Sequence, residues 1–240
     1  MSYRTGRGYF VSFEGLDGCG KSTQLERLAS VLRAEGIDVL TTREPGGTEI
    51  GERIRSVLLD SRTSALDPLA EMALMFASRA QQIAQVILPA LDCGRWVLCD
   101  RFTDSTEAYQ GWGRQLGSDA VLQLHKLLCH GLWPDLTIYM DSEVEHSVKR
   151  ARRRNQAAVS GARADENRFE KESYAFFTRV QEGFRAIAQR EPLRVAMVDA
   201  RRVADVVHPQ IAGIVRERLL GARNAGGQSS PSIAQPGPEI

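Results

Sequence analysis

The sequence has no features that would place it in a membrane, and it carries little excess charge of either sign. No apolar run approaches the roughly 18 residues of a membrane-spanning helix, and the first residues lack the apolar core of a signal peptide. The 240 residues carry a formal net charge of +1, which gives no electrostatic reason to bind nucleic acid or a membrane surface. We therefore expect neither kind of partner.

The cysteines are few and show no metal-binding or redox spacing. Cys19, Cys93, Cys99 and Cys129 form neither a C-x-x-C pair nor a zinc pattern. Four free thiols and a cytoplasmic location, where thiols stay reduced, are therefore expected. The histidines also lack metal-ligand spacing, and we interpret them as structural or surface residues: His125, His130, His146 and His208.

The stretch FEGLDGCGKST, residues 13–23, matches the phosphate-binding pattern G-x-x-x-x-G-K-[ST]. It follows a segment typical of a strand and precedes leucines at helical spacing, so its backbone N–H groups and the helix dipole favour anions. Lys21 is predicted to reach the β- and γ-phosphates of a bound nucleotide, and Ser22 to ligate Mg²⁺. All of this loop is expected to bind the nucleotide phosphates: Gly15, Leu16, Asp17, Gly18, Cys19, Gly20, Lys21, Ser22 and Thr23.

Strand patterns alternate with helical patterns along the chain. The predicted strands are 9–14, 38–42, 96–99, 136–140 and 195–198, and the predicted helices are 21–35, 49–59, 68–91, 118–130, 142–154, 168–190 and 203–219. This alternation predicts an α/β fold with a parallel sheet covered by helices on both faces, and ligands outside the carboxyl ends of the strands. Residues 1–220 are expected to form one domain, followed by a disordered tail at 221–240.

Charged motifs follow several of these strands. Asp100 ends the third strand, where an acid suits Mg²⁺, and Arg101 beside it suits a phosphate. For TREPGGT, residues 42–48, a surface turn is the preferred interpretation when the motif is taken alone. The run KRARRR, residues 149–154, is either a solvated basic face or the start of a lid at about 150–168 that brings arginines onto a triphosphate.

Together these motifs closely resemble the bacterial thymidylate kinases. FEGLDGCGKST, TREPGGT, LMFASRAQ, CDRFTDSTEAYQG, PDLTIYMD and NRFEKES occur in order over about residues 9–220. The resemblance implies one nucleoside monophosphate kinase domain of the P-loop type, a three-layer α/β/α fold around a five-stranded parallel sheet. It also implies a homodimer, Mg²⁺, and transfer of the γ-phosphate of ATP to dTMP in dTTP biosynthesis.

The resemblance further implies roles for individual residues. Asp17 would meet the sugar 3′-hydroxyl and the phosphate–Mg²⁺ region, and Arg55 and Arg101 would hold the dTMP phosphate. Ala200 and Arg201 would border the adenine of ATP.

The thymine site is implied in the same way. Tyr109 would press on the sugar and exclude a 2′-hydroxyl, and Phe76 would pack near the base. The family's thymine-stacking phenylalanine usually sits four residues before its arginine, and here that position is Met75. Three residues would read the ring itself: Arg79, Thr106 and Gln110.

The same comparison points to a catalytic arginine in the lid. Family members with an arginine in the phosphate loop carry it just after the acid that matches Asp17, and here that position is Gly18. We therefore favour Arg154 as the catalytic arginine, and expect an arginine introduced at position 18 to restore part of the rate if Arg154 is lost. The other candidates are Arg150, Arg153, Arg163 and Arg168.

Three other functions can use a phosphate loop. A GTPase switch would need an N-K-x-D motif, which the sequence lacks. A nucleoside kinase would lack TREPGG and would need an acid acting as a base, and a nucleotide-binding regulator would have no acceptor site. Turnover that requires dTMP would separate the kinase from all three.

Overall fold

Five parallel strands form one sheet in the order β2-β3-β1-β4-β5. The computed structural model describes residues 6–63, 66–159 and 168–221. The strands are β1 Phe10–Glu14, β2 Val39–Arg43, β3 Trp96–Asp100, β4 Leu136–Asp141 and β5 Val195–Asp199. Each lies within one residue of its predicted bounds at both ends, so the predicted strands and the α/β fold class are confirmed.

Helices cover both faces of this sheet. In the described ranges the α-helices are α1 Lys21–Ala34, α2 Glu49–Leu59, α3 Pro68–Gln82, α4 Leu88–Asp92, α5 Thr103–Thr106, α6 Ser118–Leu128, α7 Val144–Val159, α8 Tyr174–Arg190 and α9 Ala204–Val215. Phe169–Lys171 is a 3₁₀ turn, and Ile83–Ile87, Glu107–Gly113 and Arg216–Leu220 are π-helical. No helix in these ranges is both long enough and apolar enough to cross a membrane.

The central strand explains where the phosphate loop lies. All five residues of β1 are buried, as expected for a parallel strand covered on both faces. Val11 and Phe13 pack with residues of α1 and α9, whereas Phe10 packs with residues of α3 and β3 on the opposite face. Because β1 pairs with β3 on one side and β4 on the other, the loop that follows it opens between the ends of these strands.

Two helical segments differ from their predicted forms. Residues 103–113 are helical, although no helix was predicted there. The sequence pattern did not indicate a helix because the polar side chains of this segment are buried and show no amphipathic period. The helix predicted at 168–190 is interrupted, since Ser173 accepts a hydrogen bond from the Phe176 backbone N–H at 3.2 Å and starts α8 as its N-cap.

Parts of the predicted lid and tail fall outside the described residues. Helix α7 extends into the predicted lid at 150–168, but residues 160–167 of that lid are not described. Residues 222–240 of the predicted tail are likewise outside the described ranges. The division into one domain at 1–220 and a tail therefore stays a prediction.

Candidate active site

The phosphate loop is folded around the ammonium group of Lys21. This side chain, only 5% exposed, donates hydrogen bonds from Nζ to the carbonyl oxygens of Gly15 at 3.1 Å and Leu16 at 3.0 Å. Gly20 precedes α1 with a φ of +101°, in the left-handed region that favours glycine. The loop thus holds a cation at the N-terminus of a helix, an arrangement suited to a polyphosphate.

Other residues of the loop contact the protein interior. Leu16 and Cys19 are buried, so their side chains pack inward and leave only their backbone for a nucleotide. Burial raises the pKa of the Cys19 thiol above its usual value despite the nearby charge of Lys21. The side chain of Thr23 is exposed.

Ser22 and Asp100 form the oxygen-rich part of the site. The Ser22 hydroxyl donates to Asp100 Oδ2 at 2.6 Å, which joins the first turn of α1 to the end of β3. No group of three or more His, Cys, Asp or Glu side chains in the described ranges could hold a metal alone. A hydroxyl and a carboxylate beside a phosphate loop still fit Mg²⁺, because this ion usually takes its other ligands from water and phosphates.

Arg101 lies next to this pair and is held on several sides. Its guanidinium donates to Asp17 Oδ1 at 2.8 Å, to Ser105 Oγ at 2.8 Å and to the Tyr109 hydroxyl at 3.3 Å. Its backbone φ of +74° is uncommon for a residue with a side chain. Such strain is stored mostly at functional sites, where neighbouring contacts fix the geometry.

The acid of the phosphate loop is strongly ionised. Partial burial alone would raise the pKa of Asp17, but the positive charges of Arg101 and Lys21 hold it well below its usual range. Arg154 contributes in the same direction. Asp17 is therefore a poor proton acceptor and a good partner for cations.

Glu14 holds the segment that follows Arg101 by hydrogen bonds. Its buried carboxyl group accepts a hydrogen bond from the Phe102 backbone N–H at 2.7 Å and another from the Ser105 hydroxyl. Burial, and secondarily the charge of Asp104, raise the pKa of Glu14 above its usual value. The residue thereby fixes the segment that follows the strained Arg101.

Most of the residues that the sequence predicted to bind or act on the phosphate-accepting substrate surround one cavity. Eight line it: Asp17, Arg55, Arg79, Arg101, Thr106, Tyr109, Gln110 and Arg154. Met75 also lines it, whereas Phe76 is fully buried among core residues, with the Arg79 guanidinium 4.7 Å from the centre of its ring. Met75 thus occupies the wall position that the family pattern gives to phenylalanine.

The surface-turn interpretation of TREPGGT is wrong. Glu44 is buried and accepts a hydrogen bond from Arg79 Nε at 2.7 Å, and Pro45 lines the cavity. Arg79 Nη2 in turn donates to Thr106 Oγ1 at 2.7 Å. Burial raises the pKa of Glu44 to about 7 although Arg79 opposes this. A turn-like sequence alone carries no signal of the buried arginine that it meets.

The lid arginines have different surroundings. Arg154 lines the cavity, whereas Arg168 forms a 2.6 Å ion pair with buried Glu71. Arg152 donates to the Glu170 carbonyl oxygen at 2.9 Å, and so anchors α7. Arg150 and Arg153 are on the exposed surface of α7, and the candidate Arg163 lies outside the described residues.

The structure corrects the expectation for position 18. A Cβ built at Gly18 would overlap the carbonyl oxygen of Ser147 and lie 3.0 Å from the backbone nitrogen of Ala151. Its φ of +83° also disfavours a side chain. An arginine therefore does not fit there, because α7 packs directly on the phosphate loop.

Sequence reasoning missed two aromatic residues of the cavity wall, Phe102 and Phe169, and the residues predicted to border adenine do not line this cavity. Phe169 lines the cavity and packs edge-on against Tyr109 with ring centres 5.6 Å apart. Arg201 is not among the cavity-lining residues; its Nε donates to Asp199 at 2.7 Å and its side chain is 59% exposed. The adenine-bordering role of Ala200 and Arg201 stays a prediction.

A phosphate loop beside a separate arginine-lined cavity defines a P-loop kinase of small acceptors. The thymidylate kinase family model matches residues 13–211, and the chain belongs to this family. It is 49% identical over 212 residues to the thymidylate kinase of Trichlorobacter lovleyi, covering 88% of this chain and 96% of the relative. It is 45% identical over 212 residues to that of Geobacter sulfurreducens, covering 88% and 98%.

Replacing Glu14 with glutamine should change how stability depends on pH. Burial raises the pKa of the Glu14 carboxyl from its usual value of 4.5 to about 8 in the folded protein, so the folded state alone holds this proton between those values. The contribution of Glu14 to the free energy of unfolding therefore falls as pH rises through this window, and Glu14→Gln removes that loss. In urea unfolding, the free energy of unfolding of the variant relative to that of the wild type should be higher at about pH 8 than at about pH 5. An equal difference at both pH values would contradict the raised pKa.

Gly18→Ala should impair ATP use far more than Gly36→Ala. The backbone φ is +83° at Gly18 and +80° at Gly36, but a Cβ at Gly36 meets nothing within 4 Å. Both variants bear a left-handed strain of about 1–2 kcal/mol, and only Gly18→Ala must also displace α7 or the loop. The KM for ATP should rise roughly tenfold or more in Gly18→Ala and stay near the wild-type value in Gly36→Ala. Similar ATP kinetics in the two variants would rule out the contact with α7 as the cause.

Proposed function

We propose that this protein transfers the γ-phosphate of ATP to dTMP, giving ADP and dTDP for dTTP synthesis. The observation that carries the proposal is that one cavity has a cationic part, suited to a phosphate, and a hydrogen-bonding part, suited to a base. Arg101 and Arg55 provide cations where the cavity meets Asp17 of the phosphate loop, and buried Arg79, Thr106 and Gln110 provide hydrogen-bonding groups for a base.

The proposed mechanism relies on positioning and charge. The loop amides and Lys21 hold the ATP phosphates, while Arg101 and Arg55 hold the phosphate of dTMP. One of its oxygens, already anionic, attacks the γ-phosphorus, and the bond to the bridging oxygen breaks to release ADP. Arg154 is proposed to stabilise the charge on the transferred group. No general base is needed, since the acceptor oxygen carries no proton that must leave.

Ser22 and Asp100 are proposed to hold Mg²⁺, whose charge would neutralise the phosphate oxygens. The Ser22–Asp100 hydrogen bond at 2.6 Å already brings the two ligand types together. Tyr109 is proposed to exclude a 2′-hydroxyl from the sugar site. Its burial raises the pKa of the phenol far above its usual value, so the side chain stays neutral beside Asp17 and Arg101.

The nucleoside kinase alternative is disfavoured by Asp17. A kinase acting on a sugar hydroxyl needs a carboxylate that takes up a proton. The charges around Asp17 lower its pKa and weaken it for that role. The same charges suit an acceptor that arrives as an anion.

The homodimer implied by the resemblance and the cytoplasmic location expected from the cysteines are further proposals. Three exposed apolar side chains lie on α3 and on the two helices that contact it, α2 and α6: Leu69, Val57 and Leu127. Such side chains are suited to contact a second copy. Sedimentation velocity measures the state directly, and a monomer at micromolar concentration would count against the dimer.

An ADP-release assay with four acceptor conditions tests the proposed activity. dTMP should support rapid turnover and dUMP slower turnover. Thymidine, or no acceptor, should give only background ADP release, because Arg101 and Arg55 require an acceptor phosphate. Turnover with thymidine as fast as with dTMP would select a nucleoside kinase. Equal ADP release with and without acceptor would indicate a simple ATPase.

Arg154→Ala should lower kcat about 100-fold or more at saturating ATP, because a guanidinium at the γ-phosphoryl group stabilises mainly the transition state. The KM for dTMP should change less than about threefold. Arg153→Ala is the matched control, because it removes the same charge from the same helix and Arg153 is not among the cavity-lining residues. A kcat for Arg154→Ala within about threefold of wild type, or equal losses in both variants, would reject the assignment.

A further inference from the structure

Glu71 is a buried carboxylate that the proposed mechanism does not use. It lies on α3, is 0% exposed and is not among the cavity-lining residues. Gln110, which does line the cavity, donates from Nε2 to Glu71 Oε1 at 2.7 Å. Two arginines also hold this carboxylate, one from the segment after the π-helical turn and one from the end of the lid: Arg114 and Arg168.

The two oxygens of Glu71 have different partners. Oε2 lies 2.6 Å from Arg168 Nη1 and 3.1 Å from Arg114 Nη2. Oε1 accepts from Gln110 Nε2 at 2.7 Å and from Arg114 Nε at 3.2 Å. Both oxygens therefore serve only as acceptors, as an ion-paired carboxylate must.

We propose that Glu71 is a positioning residue that sets the direction of the Gln110 amide and thereby favours thymine over cytosine. The inference rests on the proposed function, in which Gln110 faces the base. Because Glu71 only accepts hydrogen bonds, the Gln110 amide turns its NH₂ group to Glu71 and leaves Oε1 as its acceptor for the cavity. Thymine and uracil carry a donor at N3, whereas N3 of cytosine is an acceptor that would face another acceptor.

Glu71→Gln should reverse this direction. Two arginine donors, Arg168 Nη1 and Arg114 Nη2, need an acceptor at the Oε2 position, against one weaker donor, Arg114 Nε at 3.2 Å, at the Oε1 position. The new amide therefore places its oxygen at the Oε2 position and its NH₂ at the Oε1 position. Gln110 must then turn its own oxygen towards position 71 and present NH₂ to the base. That arrangement accepts N3 of cytosine and opposes the N3–H of thymine.

The test compares kcat/KM for dTMP, dUMP and dCMP in wild type and variant. The ratio of dTMP to dCMP should fall about tenfold or more in Glu71→Gln, because a mispaired buried group becomes a paired one. The ratio of dTMP to dUMP should stay within about twofold, since both bases carry N3–H. A general loosening of the cavity would instead change both ratios, because thymine and uracil differ by a methyl group.

Glu172→Gln is the matched control. It removes a charge from the same network. Its carboxylate contacts Arg114 Nη1 at 2.6 Å, whereas the Gln110 amide donates to Glu71. Its ratio of dTMP to dCMP should match the wild type. If Glu71→Gln does not fold, the double variant Glu71→Gln/Arg114→Met removes one of the two cations left without an anion, leaves Arg168 to set the direction of the new amide, and should show the same change.

The outcomes separate this inference from the proposed function. A wild type that does not phosphorylate dTMP would reject the proposed function. A wild type that prefers dTMP, with an unchanged ratio of dTMP to dCMP in the position 71 variants, would overturn only the role of Glu71. An equal fall of this ratio in Glu172→Gln would also overturn it, since the effect would then belong to the charge network as a whole.

Discussion

The buried carboxylate of Glu14 ties together the two strand ends on which the site depends. It ends β1, directly before the phosphate loop, and binds the backbone of Phe102 and the hydroxyl of Ser105 after β3. Because β1 and β3 are paired neighbours, this link fixes where Arg101 stands relative to the loop. One buried group thus links the phosphate loop to the segment that carries the cavity-lining Arg101.

Burial and charge divide the acids of the site into two kinds. Glu14 and Glu44 are buried, and desolvation raises their pKa values above the usual range. Asp17 is partly exposed among cations, which lower its pKa. The buried acids serve as anchors for the backbone or for Arg79, and Asp17 remains an anion that orders cations at the junction of loop and cavity.

The parts of the site that were predictable are those encoded by neighbours in sequence. The phosphate loop and the strands depend on local spacing and side-chain type, and these were confirmed. The burial of Glu44 depends on Arg79, which lies 35 residues away and carries no local signal. The helix at 103–113 was missed for the same reason, because its polar residues are satisfied by distant partners: Asp104, for example, accepts from Arg194 at 2.7 Å.

The basic run at 149–154 has exposed residues and one residue that lines the cavity, and its role as the start of a lid stays a prediction. Consecutive residues on α7 are about 100° apart, so its arginines cannot share one environment. Arg153 is solvated, Arg152 holds the Glu170 carbonyl, and Arg154 reaches the cavity. Which arginine faces which way is decided by the contact of α7 with Gly18, where only a residue without a side chain fits. A glycine at this position of the phosphate loop therefore allows α7 to pack directly on the loop, and this contact holds the helix in register with the loop.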